Sequence, residues 1–174
     1  MHFRSMVVSN NEVSPGYRLV RLTAPKAILE AKPGQFVMVR VQDGIDPLLR
    51  RPFGIFDVGC FTPEYPDAPR QHYLEILYKI VGKGTGILST LHSRDYVDVL
   101  GPLGSGFEGG DPKTEKLLVG GGFGLAPLYF FARQLAGTSP VKVFIGGKRK
   151  EDVLCVTEFE RLGLDTYVAT DDGT

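Results

Sequence analysis

Three short segments carry residue types suited to holding phosphate-bearing ligands. Arg50-Arg51-Pro52-Phe53-Gly54-Ile55 sets two guanidinium groups beside a proline-restrained, glycine-containing stretch. A guanidinium presents planar donors that match a diphosphate, and proline restricts the backbone ahead of it. Two adjacent arginines also suit a solvated surface, so residue types alone leave both readings open. Gly82-Lys83-Gly84-Thr85-Gly86 stands just before an apolar helical stretch. Its glycines let backbone N–H groups approach a phosphate, Thr85 adds a hydroxyl, Lys83 adds charge, and a helix N-terminus favours an anion. A flexible turn is the alternative. The spacing GxxxxGK[ST] is absent, so nucleoside triphosphate hydrolysis is not indicated.

The third segment, Gly120-Gly121-Gly122-Phe123-Gly124-Leu125-Ala126-Pro127, lies between an apolar strand and an apolar helix, where a glycine loop serves a dinucleotide pyrophosphate. Strict GxGxxG fails at its last position, which is Leu125 or Pro127 depending on the register. The acidic residue expected after the second strand is replaced by Gly146-Gly147-Lys148-Arg149. This is not the ordinary dehydrogenase fingerprint. Asp171-Asp172 suit either a strand cap or a ribose hydroxyl. His2, His72 and His92 are scattered, no GxSxG occurs, and Ser89 and Ser105 fit turn chemistry, so no catalytic residue is assigned. Cys60 and Cys155 cannot assemble a zinc or iron–sulfur ligand set; they are expected to be free thiols, with no metal site.

These segments need elements to position them. The 22 glycines and 12 prolines fall between apolar runs, which points to short strands and many turns. Up to about Leu100 the pattern is of strands: Phe36 to Val41 is rich in β-branched residues, and Leu74, Ile76, Tyr78 and Ile80 alternate with Tyr73, Glu75, Leu77 and Lys79. Val97 and Val99 repeat the alternation, and a short helix over Gly86 to Leu91 interrupts it. The spacing predicts a small antiparallel barrel or sandwich. Gly101-Pro102-Leu103-Gly104 reads as a linker, followed by a charged stretch from Glu108 to Lys116. Beyond it come a fully apolar strand at Leu117-Leu118-Val119, a helix from Leu125 to Ala136, a strand over Val141 to Ile145, a helix over Val153 to Leu162 and a strand over Thr166 to Ala169. That is β-α-β-α-β, a parallel sheet that stops after its third strand.

The balance of 20 Lys and Arg against 20 Asp and Glu gives no field for nucleic acid or an anionic membrane. The first 20 residues hold no sustained apolar segment, so a cytoplasmic location is expected. The longest uncharged run, Leu117 to Ala132, is shorter than a membrane span.

Taken in order, the motifs resemble the ferredoxin-NADP reductase superfamily. There, a β-barrel holds a flavin through Arg-Pro-x-Ser and a later Gly-Thr turn, and an α/β domain holds the nicotinamide cofactor through Gly-Gly-Gly-x-Gly-x-x-Pro. The matching residues are Arg51, Pro52, Phe53 and Gly54; Gly84 and Thr85; and Gly120, Gly121, Gly122 and Gly124 through Pro127. Leu77, Tyr78 and Lys79 are implied as further flavin contacts. Within the superfamily, Leu48-Leu49-Arg50-Arg51-Pro52, Val81-Gly82-Lys83-Gly84-Thr85, Gly101 to Phe107 and Gly147-Lys148-Arg149 with Glu151-Asp152 resemble the electron-transfer subunits of bacterial dihydroorotate dehydrogenases. The resemblance implies a β-barrel plus α/β fold: an FAD-binding barrel over 1–103 and a partial doubly wound NAD-binding domain over 104–174. It also implies an NADH-dependent flavin oxidoreductase subunit of pyrimidine biosynthesis, with FAD and NAD(H) as cofactors. A [2Fe–2S] cluster is implied only for a longer chain with a cysteine-rich tail, the present chain being read as truncated at its C-terminus. The partner would be a dihydroorotate dehydrogenase catalytic subunit, or a related flavoprotein, in a hetero-oligomer. Alternatives are a reductase subunit of a sulfhydrogenase or glutamate-synthase-like complex, and a non-catalytic assembly module. One departure is Gly54, where the superfamily usually has Ser or Thr.

Overall fold

The computed structural model describes residues 1–44, 46–62 and 69–174. Seven antiparallel strands form the first sheet: β1 (His2–Ser14), β2 (Tyr17–Ala24), β3 (Phe36–Arg40), β4 (Arg51–Gly54), β5 (Asp57–Phe61), β6 (Gln71–Lys79) and β7 (Tyr96–Leu103). Their order is β4-β3-β7-β1-β2-β6-β5. The strands at its two ends, β4 and β5, are separated in the chain by only Ile55 and Phe56, so the sheet must curl until its ends meet. Those two residues fasten the seam, because Ile55 N–H donates to Gln35 O (3.1 Å) and Phe56 N–H to Glu75 O (2.9 Å). The result is the expected small barrel.

Alternation along the strands fills the interior with Val7, Val20, Leu22, Val37, Val39, Phe53, Ile55, Leu74, Ile76, Tyr78 and Val99. Burying each large side chain contributes about 1.5 to 3 kcal/mol before entropy is counted. Helix α1 (Lys83–Thr90) closes one end through the fully buried Leu88. Its C-terminal turn is held by Asn10, whose amide donates to Leu88 O (2.8 Å) and Leu91 O (3.1 Å).

The second sheet is parallel, in the order β10-β9-β8, built from β8 (Lys116–Gly121), β9 (Val141–Gly147) and β10 (Asp165–Thr170). Helices α2 (Leu125–Leu135) and α3 (Val156–Arg161) make the crossovers. Successive right-handed crossovers stepping one way along a sheet put both helices on one face. Leu118, Val143 and Ile145 are buried accordingly, while Leu117, Val119, Phe144 and Tyr167 remain exposed, with Phe144 and Tyr167 stacked at 4.9 Å. Three details of the sequence reading need correction. Gly101 to Leu103 is not linker but the end of β7, since Leu103 pairs with Phe36. The glycine-rich stretch from Lys83 is the first turn of α1, not a turn preceding it. The helix expected over Val153 to Leu162 begins only at Val156, after a 3-10 turn at Lys150–Asp152 and a left-handed Cys155 (φ 65°). Among the described residues, no helix is long and apolar enough to cross a membrane.

The two sheets are docked closely. Phe130 of α2 joins the barrel core, while Tyr17, Phe56 and Leu77 of the barrel join the core of the parallel sheet. Phe56 stacks on Tyr129 at 4.4 Å. Beside them lies a buried charge row: Arg21, Glu75 and Asp57 are cross-strand neighbours on β2, β6 and β5. Glu75 pairs with Arg21 (2.8 Å), and Asp57 pairs with Arg133 of α2 (2.7 Å). Asp57 also accepts from Tyr73 Oη (3.1 Å), while Arg133 donates to Val58 O (2.9 Å). Two carboxylates that face each other are therefore neutralised from both sides, one side being the other sheet's helix.

Candidate functional site

A cavity of about 250 Å³ opens between β4, the end of β6 and α1, lined by Arg51, Pro52, Phe53, Gly54, Leu77, Tyr78, Lys79, Val81, Thr85 and Phe123. What brings Arg51 and Thr85 together is the curl of the barrel, which sets β4 across from β6. Its floor is apolar, from Pro52, Phe53, Leu77 and Tyr78, and Phe53 meets Tyr78 edge-on at 6.0 Å. Tyr78 turns its hydroxyl away, donating to Asn10 Oδ1 (3.0 Å), and burial pushes its pKa up.

Arg51 lies directly against α1. A Cβ on Gly84 would stand 2.6 Å from Arg51 Nε, so a larger residue there would push the arginine side chain off the helix. The guanidinium donates to Leu49 O. Thr85 is occupied as a cap: its hydroxyl accepts from Val81 N–H (2.9 Å) and Gly82 N–H (3.1 Å) and donates to Gly82 O (3.0 Å). This leaves an anion to the first-turn N–H groups of α1, which have no intrahelical partner, and to Arg51. An apolar floor beside a helix N-terminus and an arginine suits an aromatic ring system joined to a diphosphate, so these residues fit a flavin nucleotide.

A second cavity of about 440 Å³ lies between the barrel and the carboxyl ends of the parallel strands, lined by Tyr17, Lys79, Gly121, Gly122, Gly146, Gly147, Lys148, Asp152 and Asp171. The carboxyl end of a parallel sheet is where nucleotides bind in α/β folds. Of the four loop glycines singled out by sequence, Gly121 and Gly122 line this cavity, whereas Gly120 lies under Leu128 of α2 and Gly124 precedes that helix. A Cβ on Gly121 would meet Gly146 O at 2.5 Å, so the strand ends can close up only with glycine there. The small-residue rim fits a dinucleotide diphosphate.

Lys79, expected at the flavin, lines the smaller cavity and also reaches across the gap between sheets. Its ammonium donates to Tyr17 Oη (2.9 Å) and Asp152 Oδ1 (3.1 Å), and Tyr17 Oη donates to Asp152 Oδ1 (2.6 Å). The bond to Tyr17, then that to Asp152, raises the Lys79 pKa, and the Tyr17 and Lys79 donors lower that of Asp152. Tyr17 is raised, first by burial and then by Asp152. Ser14 Oγ adds a bond to Glu151 O (2.7 Å). Burial pushes the Cys155 thiol up to about 12, so it is a poor thiolate.

Sequence reasoning missed Val81 and Phe123 in the smaller cavity and Tyr17, Asp152 and Gly146 in the larger one. Phe123 had a signal, as the one large residue inside a glycine run. Tyr17 had none, because its role depends on a strand end meeting a loop 135 residues away.

No family model matches the chain. It is 37% identical over 173 residues to the dihydroorotate dehydrogenase B (NAD(+)) electron transfer subunit of Desulforamulus reducens, covering 99% of this chain and 63% of that protein. The corresponding subunit of Bacillus cereus is 39% identical over 172 residues, covering 97% and 62%. The chain thus spans less than two thirds of the length of these curated relatives. Among solved structures, an NADH-dependent reduced ferredoxin-NADP oxidoreductase superposes with a TM-score of 0.79 at 29% identity, covering 96% of this chain and 56% of that one. Phthalate dioxygenase reductase shares the fold at a TM-score of 0.74 and 19% identity, covering 99% and 53%. By sequence along nearly its whole length the chain is similar to the electron-transfer subunit of dihydroorotate dehydrogenase B, and it shares the fold of ferredoxin-NADP reductase-like proteins.

Proposed function

We propose that this chain is the flavin-carrying portion of an electron-transfer subunit that takes reducing equivalents from NADH and passes them toward a redox partner. The observation that carries this reading is the convergence of Arg51, the apolar floor from Pro52 to Tyr78 and the start of α1 on one cavity, beside a second cavity rimmed by Gly121 and Gly122. Residues 1–103 are assigned to FAD and 104–174 to the nicotinamide nucleotide. Arg51 and the α1 amides hold the flavin's diphosphate, and Pro52, Phe53, Leu77 and Tyr78 bear its ring. Gly121 and Gly122 admit the nucleotide's diphosphate, and Asp171 meets a ribose hydroxyl. FAD, when bound, supplies the exchange between two-electron and one-electron chemistry. The acceptor is a dihydroorotate dehydrogenase catalytic subunit in a hetero-oligomer, a reading supported by the relatives' names as electron transfer subunits of that enzyme; a cytoplasmic location and a downstream [2Fe–2S] cluster held outside residues 1–174 complete the proposal.

The test is anaerobic mixing of the FAD-loaded chain with millimolar NADH. The flavin absorbance should bleach and return when ferricyanide is added. Flavin that stays oxidised with NADH overturns the proposed reductase role.

A further inference from the structure

We propose that Asn10 is a positioning residue for the flavin: from outside the cavity, its side-chain amide sets the spacing between the ring floor at Tyr78 and the phosphate-facing helix α1. This rests on the reading of the smaller cavity as the flavin site. The two parts of that site come from different elements, Tyr78 near the end of β6 and Thr85 in the first turn of α1. The link between them, Ile80, Val81 and Gly82, ends in glycine and leaves Val81 74% exposed, so the chain connection alone does not fix how the helix sits over the strand.

Asn10 lies on β1 and is not among the residues lining the cavity. Every bonding position of its amide is nevertheless used. Oδ1 accepts from Tyr78 Oη (3.0 Å) and Arg18 Nε (3.3 Å), while Nδ2 donates to Leu88 O (2.8 Å) and Leu91 O (3.1 Å). These partners fix which way round the amide sits: a guanidinium only donates and a backbone carbonyl only accepts, so oxygen faces Tyr78 and Arg18 and nitrogen faces the helix. Arg18 Nη2 also donates to the Asn10 backbone carbonyl, which holds the root of the side chain. At the other end, Leu88 O and Leu91 O belong to the C-terminal turn, where carbonyls lack intrahelical partners, and the fully buried Leu88 anchors that turn in the barrel core. With 8 residues, α1 is about 12 Å long and moves as one piece, so a shift at its anchored end reaches the first-turn amides and Thr85. A cofactor that must meet a ring floor and a phosphate site together is held firmly only where supporting bonds keep the two at a matching distance.

The test measures FAD Kd and the visible circular dichroism of bound FAD in the unaltered chain, Asn10→Asp, Tyr78→Phe and the double variant, with unfolding midpoints read alongside. Asn10→Asp keeps the side chain's size and the acceptor oxygen for Tyr78 and Arg18, but sets a carboxylate oxygen against Leu88 O and Leu91 O, so it cuts the helix arm alone. Tyr78→Phe keeps the floor ring and cuts the floor arm alone. From the net worth of one hydrogen bond, each single change should raise the FAD Kd about twofold to tenfold and alter the flavin dichroism. The double variant should bind FAD no worse than the weaker-binding single one, because the spacing is already free once either arm is cut. Lower unfolding midpoints with FAD Kd and dichroism unchanged would leave Asn10 a support of the fold alone and overturn the proposal. A double variant whose loss equals the product of the two single losses would overturn it too, since the arms would then act separately. If Asn10→Asp does not fold, Tyr78→Phe decides: an unchanged Kd and dichroism there contradicts the proposal. If the unaltered chain takes up no flavin, the flavin-site reading itself fails, and this inference with it.

Discussion

The cavity proposed for flavin and the cavity proposed for the nucleotide share Lys79 but are supported differently. The first is cut into a closed barrel, and its floor residues Phe53, Leu77 and Tyr78 are buried. The second sits at the end of a three-stranded sheet with helices on one face, while Leu117, Val119, Phe144 and Tyr167 leave the other face open. Parallel sheets are ordinarily covered on both faces, so the nucleotide cavity has less packing behind it. A site holds its ligand geometry only as firmly as the elements beneath it. The flavin site should therefore bind tightly in this chain and the nucleotide site weakly, with the barrel supplying through docking contacts part of the rigidity that the parallel sheet lacks.

The largest expected effect comes from cutting that docking. Asp57 and Glu75 are 5% and 7% exposed and face each other, with Arg133 as the neutralising group from α2. Arg133→Gln strands buried carboxylate charge and should cost about 3 to 5 kcal/mol in urea unfolding at neutral pH. Asp57→Asn should cost far less, because the Arg133 side chain is 36% exposed and reaches water on its own. Equal costs would break the proposed division of labour. Burial, opposed by the arginines, raises the pKa of both carboxyls. The folded protein thus holds those protons more tightly than the unfolded chain, so their stabilising contribution is present at acidic pH and lost as pH rises through the raised values. Relative to Asp57→Asn, the unaltered chain should lose stability as pH rises above the ordinary carboxylate range; a flat difference would contradict the assignment.

Next in size is Arg51→Ala. Removing a charge-assisted contact should weaken FAD binding by about 1.5 to 3 kcal/mol, read by titration, while leaving the affinity for ADP-ribose unchanged. A parallel loss of both ligands would show that the two cavities do not act separately. The smallest effect is expected at Gly54, where a Cβ would lie 3.5 Å from Pro127 Cδ, an ordinary contact. Gly54→Ser should be tolerated, shift FAD affinity by less than about 1 kcal/mol, and speed flavin reduction by NADH through the restored hydroxyl donor. Stopped-flow rates equal in the two proteins would rule out that role.

What the sequence made legible follows from how local each signal is. The alternation over Tyr73 to Ile80 and the apolar run of α2 are repeated patterns, and both elements stand where the pattern put them. Arg51 and Gly84 were flagged from separate motifs, yet their contact depends on barrel closure, which no single segment encodes. Lys79, implied at the flavin by the resemblance, does line that cavity, but its ammonium is also held by Asp152 and Tyr17, a contact fixed by the docking of the two sheets. The fully apolar strand expected at Leu117 to Val119 forms, but only Leu118 of the three is buried, because both crossover helices lie on one side.

The most direct test of the central claim is calorimetric titration of FAD and, separately, ADP-ribose into this chain. One FAD per chain, bound at least about tenfold more tightly than ADP-ribose (a difference of about 1.4 kcal/mol), is the predicted result. No FAD uptake, or ADP-ribose bound as tightly as FAD, would contradict the account.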